Sequence, residues 1–183
     1  QADMLSVAAA FFILVLLGTT SGLAEEVSGL ARILDADTVE IAGTRVRIEG
    51  IDAPEMDQVC LTRSGEFWAC GVEARQKLAA KVGAEEWACD ISGRDRYGRA
   101  LGTCYVDGDD IGRWLVAEGW ALPYIRYSKA YVVEGGAARE RCTGLWAGAF
   151  IAPWDWRHRG EGTVILGCRD VPLHARDVLV GRR

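Results

Sequence analysis

The strongest constraint on the fold is an alternation of apolar and polar residues between positions 27 and 51. Three segments in this stretch, 29–34, 38–41 and 44–48, have the two-residue period of β-strands, and turns that contain Asp or Gly separate them. An antiparallel meander is the simplest structure for three such neighbours. We therefore expect three strands at the start of the folded part of the chain.

A helix and a second hairpin follow this meander in the sequence. Residues 71–82 have the apolar spacing of a helix that ends at Gly83, and residues 87–106 predict a hairpin that turns at positions 95–98. Further helices are predicted after Asp109-Asp110 and over residues 131–142. This order predicts a mainly β, α+β fold: a five-stranded OB-like Greek-key barrel capped by about three helices.

The first 24 residues differ in composition from the rest of the chain. Residues 4–17 form an uncharged apolar run, and small residues follow it up to Ala24. This pattern predicts a signal peptide over 1–24, and hence a secreted or periplasmic protein. The alternative is an uncleaved N-terminal anchor facing the outside, because no Lys or Arg precedes the apolar run. Once the leader is removed, we expect a monomer with no stable membrane association.

Six cysteines in a chain with an export signal predict disulfide bonds, for which about fifteen pairings exist. A hairpin centred on residues 96 and 97 would place positions 89 and 104 opposite each other, and positions 60 and 70 would close a short loop. The spacing thus favours three pairs: Cys60 with Cys70, Cys89 with Cys104, and Cys142 with Cys168. A zinc site is the alternative, which the lack of any Cys-x-x-Cys pair disfavours.

Carboxylates and arginines recur in three short segments, 35–38, 47–55 and 94–99. Hard divalent cations prefer oxygen ligands, and a guanidinium matches the geometry of a phosphate. Each segment alone would also suit an ordinary turn or loop. Together they predict a metal-dependent phosphodiesterase. The net charge of −5 argues against binding nucleic acid through the overall field, so binding should be local.

In order and spacing, Asp35-Ala36-Asp37-Thr38-Val39, residues 47–55 and Asp95-Arg96-Tyr97-Gly98-Arg99 resemble the signature segments of the staphylococcal nuclease-like (thermonuclease) family. The resemblance extends from residue 32 to residue 146. The loop between the first two cysteines and residues 153–157 resemble those of secreted or periplasmic bacterial members. Ala36 stands where a glycine is usual, and Ala53 where a threonine is common.

The resemblance implies a calcium-dependent phosphodiesterase that hydrolyses DNA and RNA with little sequence specificity and leaves 3′-phosphate products. Asp37 and Asp52 would bind Ca²⁺ through their carboxylates and Ala53 through its backbone carbonyl. The implied catalytic residues are Arg47 and Arg99, which would bind the phosphate, and Glu55, which would activate or position the attacking water. The implied substrate-binding residues are Arg96, Tyr97, Tyr124 and Tyr127. His158 and His174 have no role in such a mechanism.

Two other functions fit the same sequence. The first is a catalytically silent OB-fold module that binds single-stranded nucleic acid through its barrel face. The second is an extracytoplasmic domain that calcium stabilises without turnover. For the predicted domain organisation, we expect one nuclease-like OB-fold domain over 25–150, with a C-terminal tail over 151–183 that packs on it or trails from it.

Overall fold

The structure is a computed structural model, which describes residues 25–181. The predicted signal peptide or anchor over 1–24 lies outside these residues. Within the described range, no helix combines the length and apolar character needed to cross a membrane.

The described strands and helices, in chain order, include the three-stranded meander and the later hairpin at the predicted positions. The strands are β1 (Glu25–Ile33), β2 (Thr38–Ile41), β3 (Thr44–Ile48), β4 (Ile51–Asp52), β5 (Val59–Leu61), β6 (Phe67–Ala69), β7 (Glu86–Arg94), β8 (Ala100–Val106), β9 (Asp109–Asp110), β10 (Leu122–Pro123), β11 (Ala149–Ile151) and β12 (Ile165–Gly167). The helices are α1 (Cys70–Val82), α2 (Ile111–Ala117), α3 (Val132–Arg141), α4 (Pro153–Trp156) and α5 (Leu173–Leu179), with a 3₁₀ helix over Gly144–Ala147.

Five strands close into the predicted barrel. β1 pairs antiparallel with β2 on one side and with β7 on the other, and β2 continues to β3. β7 pairs with β8, and β8 closes the barrel by pairing in parallel with β3. Alternate residues point inwards, and Val39, Ile41, Val46, Ile48 and Trp87 form part of the buried core. The expected OB-like architecture is confirmed.

The helices after β6 and β9 and after residue 131 are also confirmed. α1 begins at Cys70 and ends before Gly83, whose φ of 57° is typical of a helix stop at glycine. The Asp110 side chain caps α2 by accepting a hydrogen bond of 2.9 Å from the backbone N of Arg113. α3 ends at Cys142, which adopts the left-handed conformation.

A second, smaller sheet joins residues that the sequence analysis left unassigned. Its strand order is β12-β11-β5-β6, so the C-terminal region pairs with the hairpin that follows the barrel's first half. Close packing at Gly148 is part of this junction, since a Cβ there would lie 1.8 Å from the backbone oxygen of Leu61. Phe150, Ile151 and Trp156 are buried in the clusters that result.

The three disulfides form the pairs that the spacing favours. Cys60 bonds Cys70, Cys89 bonds Cys104 across the hairpin, and Cys142 bonds Cys168. The last bond links the end of α3 to the residue just after β12. Covalent bonds therefore fix the loop before α1, the barrel hairpin and the C-terminal region.

Candidate nucleic-acid cleavage site

One face of the barrel carries an open cleft of about 1560 Å³. Every residue that the sequence analysis assigned to metal, catalysis or substrate lines this cleft, with the exception of Asp52, which is fully buried behind it. Of these assigned residues, the ones that line the cleft are Asp37, Arg47, Ala53, Glu55, Arg96, Tyr97, Arg99, Tyr124 and Tyr127. The fold thus brings residues from distant parts of the chain to one surface.

The turn between β1 and β2 holds Asp37 in place. The Asp37 backbone N donates to Oδ1 of Asp35 at 3.0 Å, and the backbone N of Asp35 donates to Thr38 O at 3.3 Å. The backbone O of Asp37 accepts from Ile48 N at 2.8 Å, which joins the turn to β3. The bond to its side chain explains why an aspartate is suited to position 35 of this turn.

Arg47 lies between the two acids proposed as metal ligands. Its Nη1 donates to Asp37 Oδ1 at 2.9 Å and its Nη2 to Asp52 Oδ1 at 2.5 Å. Burial lowers the pKa of Arg47, but the carboxylates of Asp37 and Asp52 outweigh burial and raise it overall. The guanidinium is therefore held firmly in its charged form at the edge of the cleft.

The cluster of acids around Arg47 is not fully neutralised. Burial, followed by repulsion from Asp37, raises the pKa of Asp52 to about 6 despite the opposing effects of Arg47 and Arg157. Burial and the same repulsion raise the pKa of Asp35 to about 7. Both shifts indicate that the cluster would accept further positive charge.

The donor atoms in this cluster fit a hard divalent cation. The buried Oδ2 of Asp52 has no hydrogen-bond partner in the described part of the chain, and Asp37 Oδ2 accepts a bond of 3.1 Å from the backbone N of Ala53. Across residues 25–181, no group of three or more His, Cys, Asp or Glu side chains is arranged to hold a metal ion. Backbone oxygen and water would therefore have to complete a coordination shell begun by two carboxylates.

Glu55 sits on the loop of residues 54–58, which packs directly against α1. Its backbone N donates to Gln58 Oε1 at 3.3 Å, and its backbone O accepts from Gln58 N at 2.9 Å. Gly71 of α1 allows this close approach, because a Cβ there would lie only 1.8 Å from the Glu55 backbone oxygen. The loop is therefore stiff beneath the carboxylate.

Arg157 is a site residue that the sequence analysis did not find. Its Nε donates to Glu55 Oε1 at 2.5 Å, and its Nη2 lies 3.4 Å from Asp52 Oδ1. Burial lowers the pKa of Arg157, but Asp52 and Glu55 outweigh burial and raise it. The sequence analysis noted residues 153–157 only for their resemblance to secreted or periplasmic family members. The contact of Arg157 with Glu55 spans 102 residues of sequence, so no local pattern indicates it. His158, set aside above, also lines the cleft.

The hairpin turn between β7 and β8 places Arg99 in the lining of the same cleft. Arg99 Nε donates to Asp95 Oδ2 at 2.7 Å, and Asp95 Oδ1 accepts from the backbone N of Tyr97 at 2.8 Å. Burial raises the pKa of Asp95, but these hydrogen bonds and the charge of Arg99 outweigh burial and lower it. Asp95 thus acts as an ionised clamp that orients the Arg99 guanidinium.

Aromatic side chains flank the charged residues. Tyr97 and Tyr127 are 69% and 70% exposed, so their rings are open to a ligand. Tyr124 stacks on Trp154 with ring centroids 5.4 Å apart, and Tyr127 packs edge-on against Tyr124. The cleft therefore combines cationic groups suited to a phosphate with ring faces suited to bases.

Comparison with known proteins identifies a matching family and several similar proteins. The family model described as staphylococcal nuclease homologue matches residues 45–148. Micrococcal nuclease of Shigella flexneri is 34% identical over 179 residues, and the match covers 87% of this chain and 95% of the length of that nuclease. Succinoglycan biosynthesis protein ExoI of Rhizobium meliloti is 39% identical over 129 residues, and the match covers 69% of this chain and 68% of the length of ExoI. An uncharacterized endonuclease of Escherichia coli O157:H7 is 33% identical over 138 residues, and the match covers 71% of this chain and 84% of that endonuclease.

Proposed function

The chain belongs to the staphylococcal nuclease homologue family, and we propose that it is a calcium-dependent phosphodiesterase that hydrolyses DNA and RNA with little regard for sequence and leaves 3′-phosphate products. The observation that carries this proposal is that Arg47, Arg99 and Glu55 line one cleft. Arg47 there bonds the buried carboxylates of Asp37 and Asp52. The family model is described as staphylococcal nuclease homologue, and two of the relatives are named as nucleases, which supports a nuclease function.

The two arginines would bind the scissile phosphate and stabilise the negative charge that grows on it during attack. Arg47 and Arg99 are each oriented by a carboxylate, at 2.9 Å from Asp37 and 2.7 Å from Asp95. Such fixed donors need no reorganisation when charge appears in the transition state. Removing one of them should lower kcat by about 10²–10³-fold, as for the loss of a single oxyanion donor.

Glu55 would position the attacking water and accept its proton. Pro54 fixes its own φ and restricts Ala53 before it, and the bonds between Glu55 and Gln58 hold the loop. A general base must be placed before its pKa matters, so the stiffness of this loop supports the role.

Calcium, when bound, would polarise a phosphate oxygen and lower the pKa of the attacking water. The residues that would hold it are Asp37, Asp52 and the backbone carbonyl of Ala53. The unpartnered Oδ2 of Asp52 supports this ligand set, because a buried carboxylate oxygen without a donor is otherwise costly.

Tyr97, Tyr127 and Arg96 would bind the nucleotides on either side of the cut. Ring stacking and contacts with phosphate do not depend on which base is present, which supports cleavage with little sequence preference. Tyr124 would act mainly by supporting Tyr127, since its own ring is covered by Trp154.

We further propose that the protein is exported and monomeric. Three disulfides link its described residues, and such bonds persist in oxidising compartments such as the periplasm or the extracellular space.

The test is digestion of plasmid DNA and of RNA with calcium, with EDTA, and with the variants Arg47→Ala and Arg99→Ala. We expect cleavage with calcium that is lost in EDTA and in both variants. Arg32→Ala is the control. Arg32 is exposed and does not line the cleft, and its Nη2 donates to Glu40 Oε2 at 3.0 Å. Cleavage that survives EDTA or both substitutions would overturn the mechanism, and salt-sensitive binding without cleavage would indicate the silent OB-fold module.

A further inference from the structure

The segment that carries Arg157 is fixed to the core on both sides. Before it, Ala149 of β11 pairs with Leu61 of β5. After it, Cys168 is bonded to Cys142 at the end of α3. The position of α4 and Arg157 is thus set by a strand pairing and by a covalent bond, so the segment is part of the folded core.

The buried side chain of Gln58 joins this region to the loop that carries Glu55. Its Nε2 donates to the backbone O of Ile151 at 2.7 Å, and its Oε1 accepts from the backbone N of Glu55 at 3.3 Å. The fully buried side-chain amide of Gln58 therefore connects Ile151 of β11 to the backbone of Glu55. A buried polar group that is satisfied on both sides specifies a unique arrangement of the two segments.

Two further contacts join α4 and its C-terminal neighbour to the same loop. Trp156 Nε1 donates to Asp57 Oδ1 at 3.2 Å. The Arg157 guanidinium contacts Glu55, with Nε at 2.5 Å from Oε1. All three contacts converge on residues 55–58, which are the residues that place the proposed base.

The ion pair between Arg157 and Glu55 is not a buried structural pair. Their side chains are 43% and 34% exposed, and both line the cleft. Ion pairs at such exposure contribute little to the free energy of unfolding. The contribution of this ion pair to stability therefore does not explain why position 157 is an arginine. Without its partner, however, the Glu55 side chain would sample several rotamers, and fixing a flexible side chain costs conformational entropy.

We propose that Arg157 is a positioning residue for Glu55: its guanidinium holds the Glu55 carboxylate in the orientation needed to receive the attacking water. The C-terminal region thereby completes the active site. This inference rests on the proposed function, because the orientation of Glu55 matters only if the chain cleaves a phosphodiester.

Arg159 provides a matched control in the same segment. Its guanidinium lies 3.6 Å from the centroid of the Trp156 ring, and its Nη1 donates to Trp156 O at 2.8 Å. It does not line the cleft. Replacing Arg159 removes a cation from the same segment and disturbs its packing, but leaves the Glu55 contact in place.

The experiment measures kcat and KM on a single-stranded oligonucleotide with calcium, for the wild type and for Arg157→Ala, Arg157→Lys and Arg159→Ala. We expect Arg157→Ala to lower kcat by about 10–100-fold, the loss expected when a reacting group is misplaced by about 1 Å, with KM within about twofold. Arg157→Lys should retain an intermediate kcat, and Arg159→Ala should stay close to the wild type. Millimolar guanidinium chloride, but not sodium chloride of equal ionic strength, should restore part of the activity of Arg157→Ala.

Several outcomes would overturn the inference. The first is an equal kcat for Arg157→Ala and Arg159→Ala. The second is no rescue of Arg157→Ala by guanidinium, and the third is an effect of Arg157→Ala on KM alone. A faster Arg157→Ala would instead mean that the ion pair blocks Glu55. Any of these results with an active wild type overturns this inference alone, whereas a wild type that cleaves nothing overturns the proposed function and this inference with it.

Discussion

Arg47 Nη2 lies 2.5 Å from Oδ1 of Asp52, while Oδ2 of the same carboxylate is buried and has no hydrogen-bond partner among the described residues. A buried acceptor left unpaired destabilises a fold by about 1–3 kcal/mol. The barrel thus keeps an unsatisfied acidic group at the centre of its proposed site. This relationship leads directly to a prediction about stability and pH.

We expect the melting temperature of the metal-free protein to rise as the pH is lowered. The folded protein holds the pKa of Asp35 at about 7 and that of Asp52 at about 6, both above the unfolded value of 3.8. Protonation therefore favours the folded state, and this contribution is lost as the pH rises through about 6–7. Thermal melting in EDTA between about pH 5 and about pH 8 measures it. A melting temperature that is flat or rises with pH over this range would contradict it.

Calcium and the variant Asp52→Asn provide the controls for this pH effect. A bound cation favours the ionised carboxylates, so calcium should reduce the slope of melting temperature against pH. Asp52→Asn should reduce the slope in EDTA, because it removes one of the two titrating groups. An unchanged slope in the variant would assign the effect to other residues.

We expect Gly71→Ala to destabilise the protein strongly and to lower kcat. The new Cβ would lie 1.8 Å from the backbone oxygen of Glu55, so either α1 or the loop must move. The free energy of unfolding should fall by at least about 2 kcal/mol, which denaturant titration measures. Gly136→Ala is the matched control on α3, where nothing lies within 4 Å of the added Cβ. It should stabilise the protein by up to about 1 kcal/mol, and equal effects of the two substitutions would refute the packing argument.

We expect Asp95→Ala to lower kcat by about tenfold or more, because Arg99 loses the carboxylate that orients it. Asp95 also accepts from the backbone N of Arg99 at 3.0 Å, so a small loss of stability should accompany the change. Steady-state cleavage assays compare it with Asp90→Ala, an exposed position on β7 of the same hairpin. Similar rates for the two variants would show that Asp95 does not position Arg99 for catalysis.

The paired substitution Cys142→Ala and Cys168→Ala should lower both stability and kcat. The two cysteines are 26 residues apart in sequence. Loss of their disulfide should lower the free energy of unfolding by about 2–4 kcal/mol. Its loss should also loosen the region that holds Arg157 against the cleft. Removing the hairpin pair Cys89 and Cys104 should cost a similar free energy with little change in kcat of the folded protein. Equal kcat values for the two paired variants would contradict the proposed role of the C-terminal region.

The sequence was sufficient to predict the barrel because its signals are local. The strands β1, β2 and β3 alternate regularly between short acidic or glycine turns. The β7–β8 hairpin pairs Cys89 with Cys104 as expected, although a β-bulge between Ile91 and Gly93 shifts the register by one residue from that beside the turn. The site segments lie on these elements, on their turns, or on β4 and the loop just after it. Their convergence was implied by the resemblance to the staphylococcal nuclease-like family, and the closed barrel is the structure that brings them together.

The C-terminal region could not be predicted in the same way. β11, β12 and α4 have three or four residues each, which is too short for a hydrophobic period to be recognised. Its main contacts are also remote in sequence: Gln58 and Ile151 are 93 residues apart. Nothing in the local pattern around Arg157 indicates that its partner is Glu55.

The most direct test of the account is the initial rate of phosphodiester cleavage as a function of calcium concentration, measured for the wild type, Asp37→Asn and Asp52→Asn. The account predicts a rate that saturates with calcium and vanishes in EDTA, and variants that need at least about tenfold more calcium or fail to cleave at any concentration. A wild-type rate that is the same in EDTA as in calcium, or variants with an unchanged calcium dependence, would contradict it.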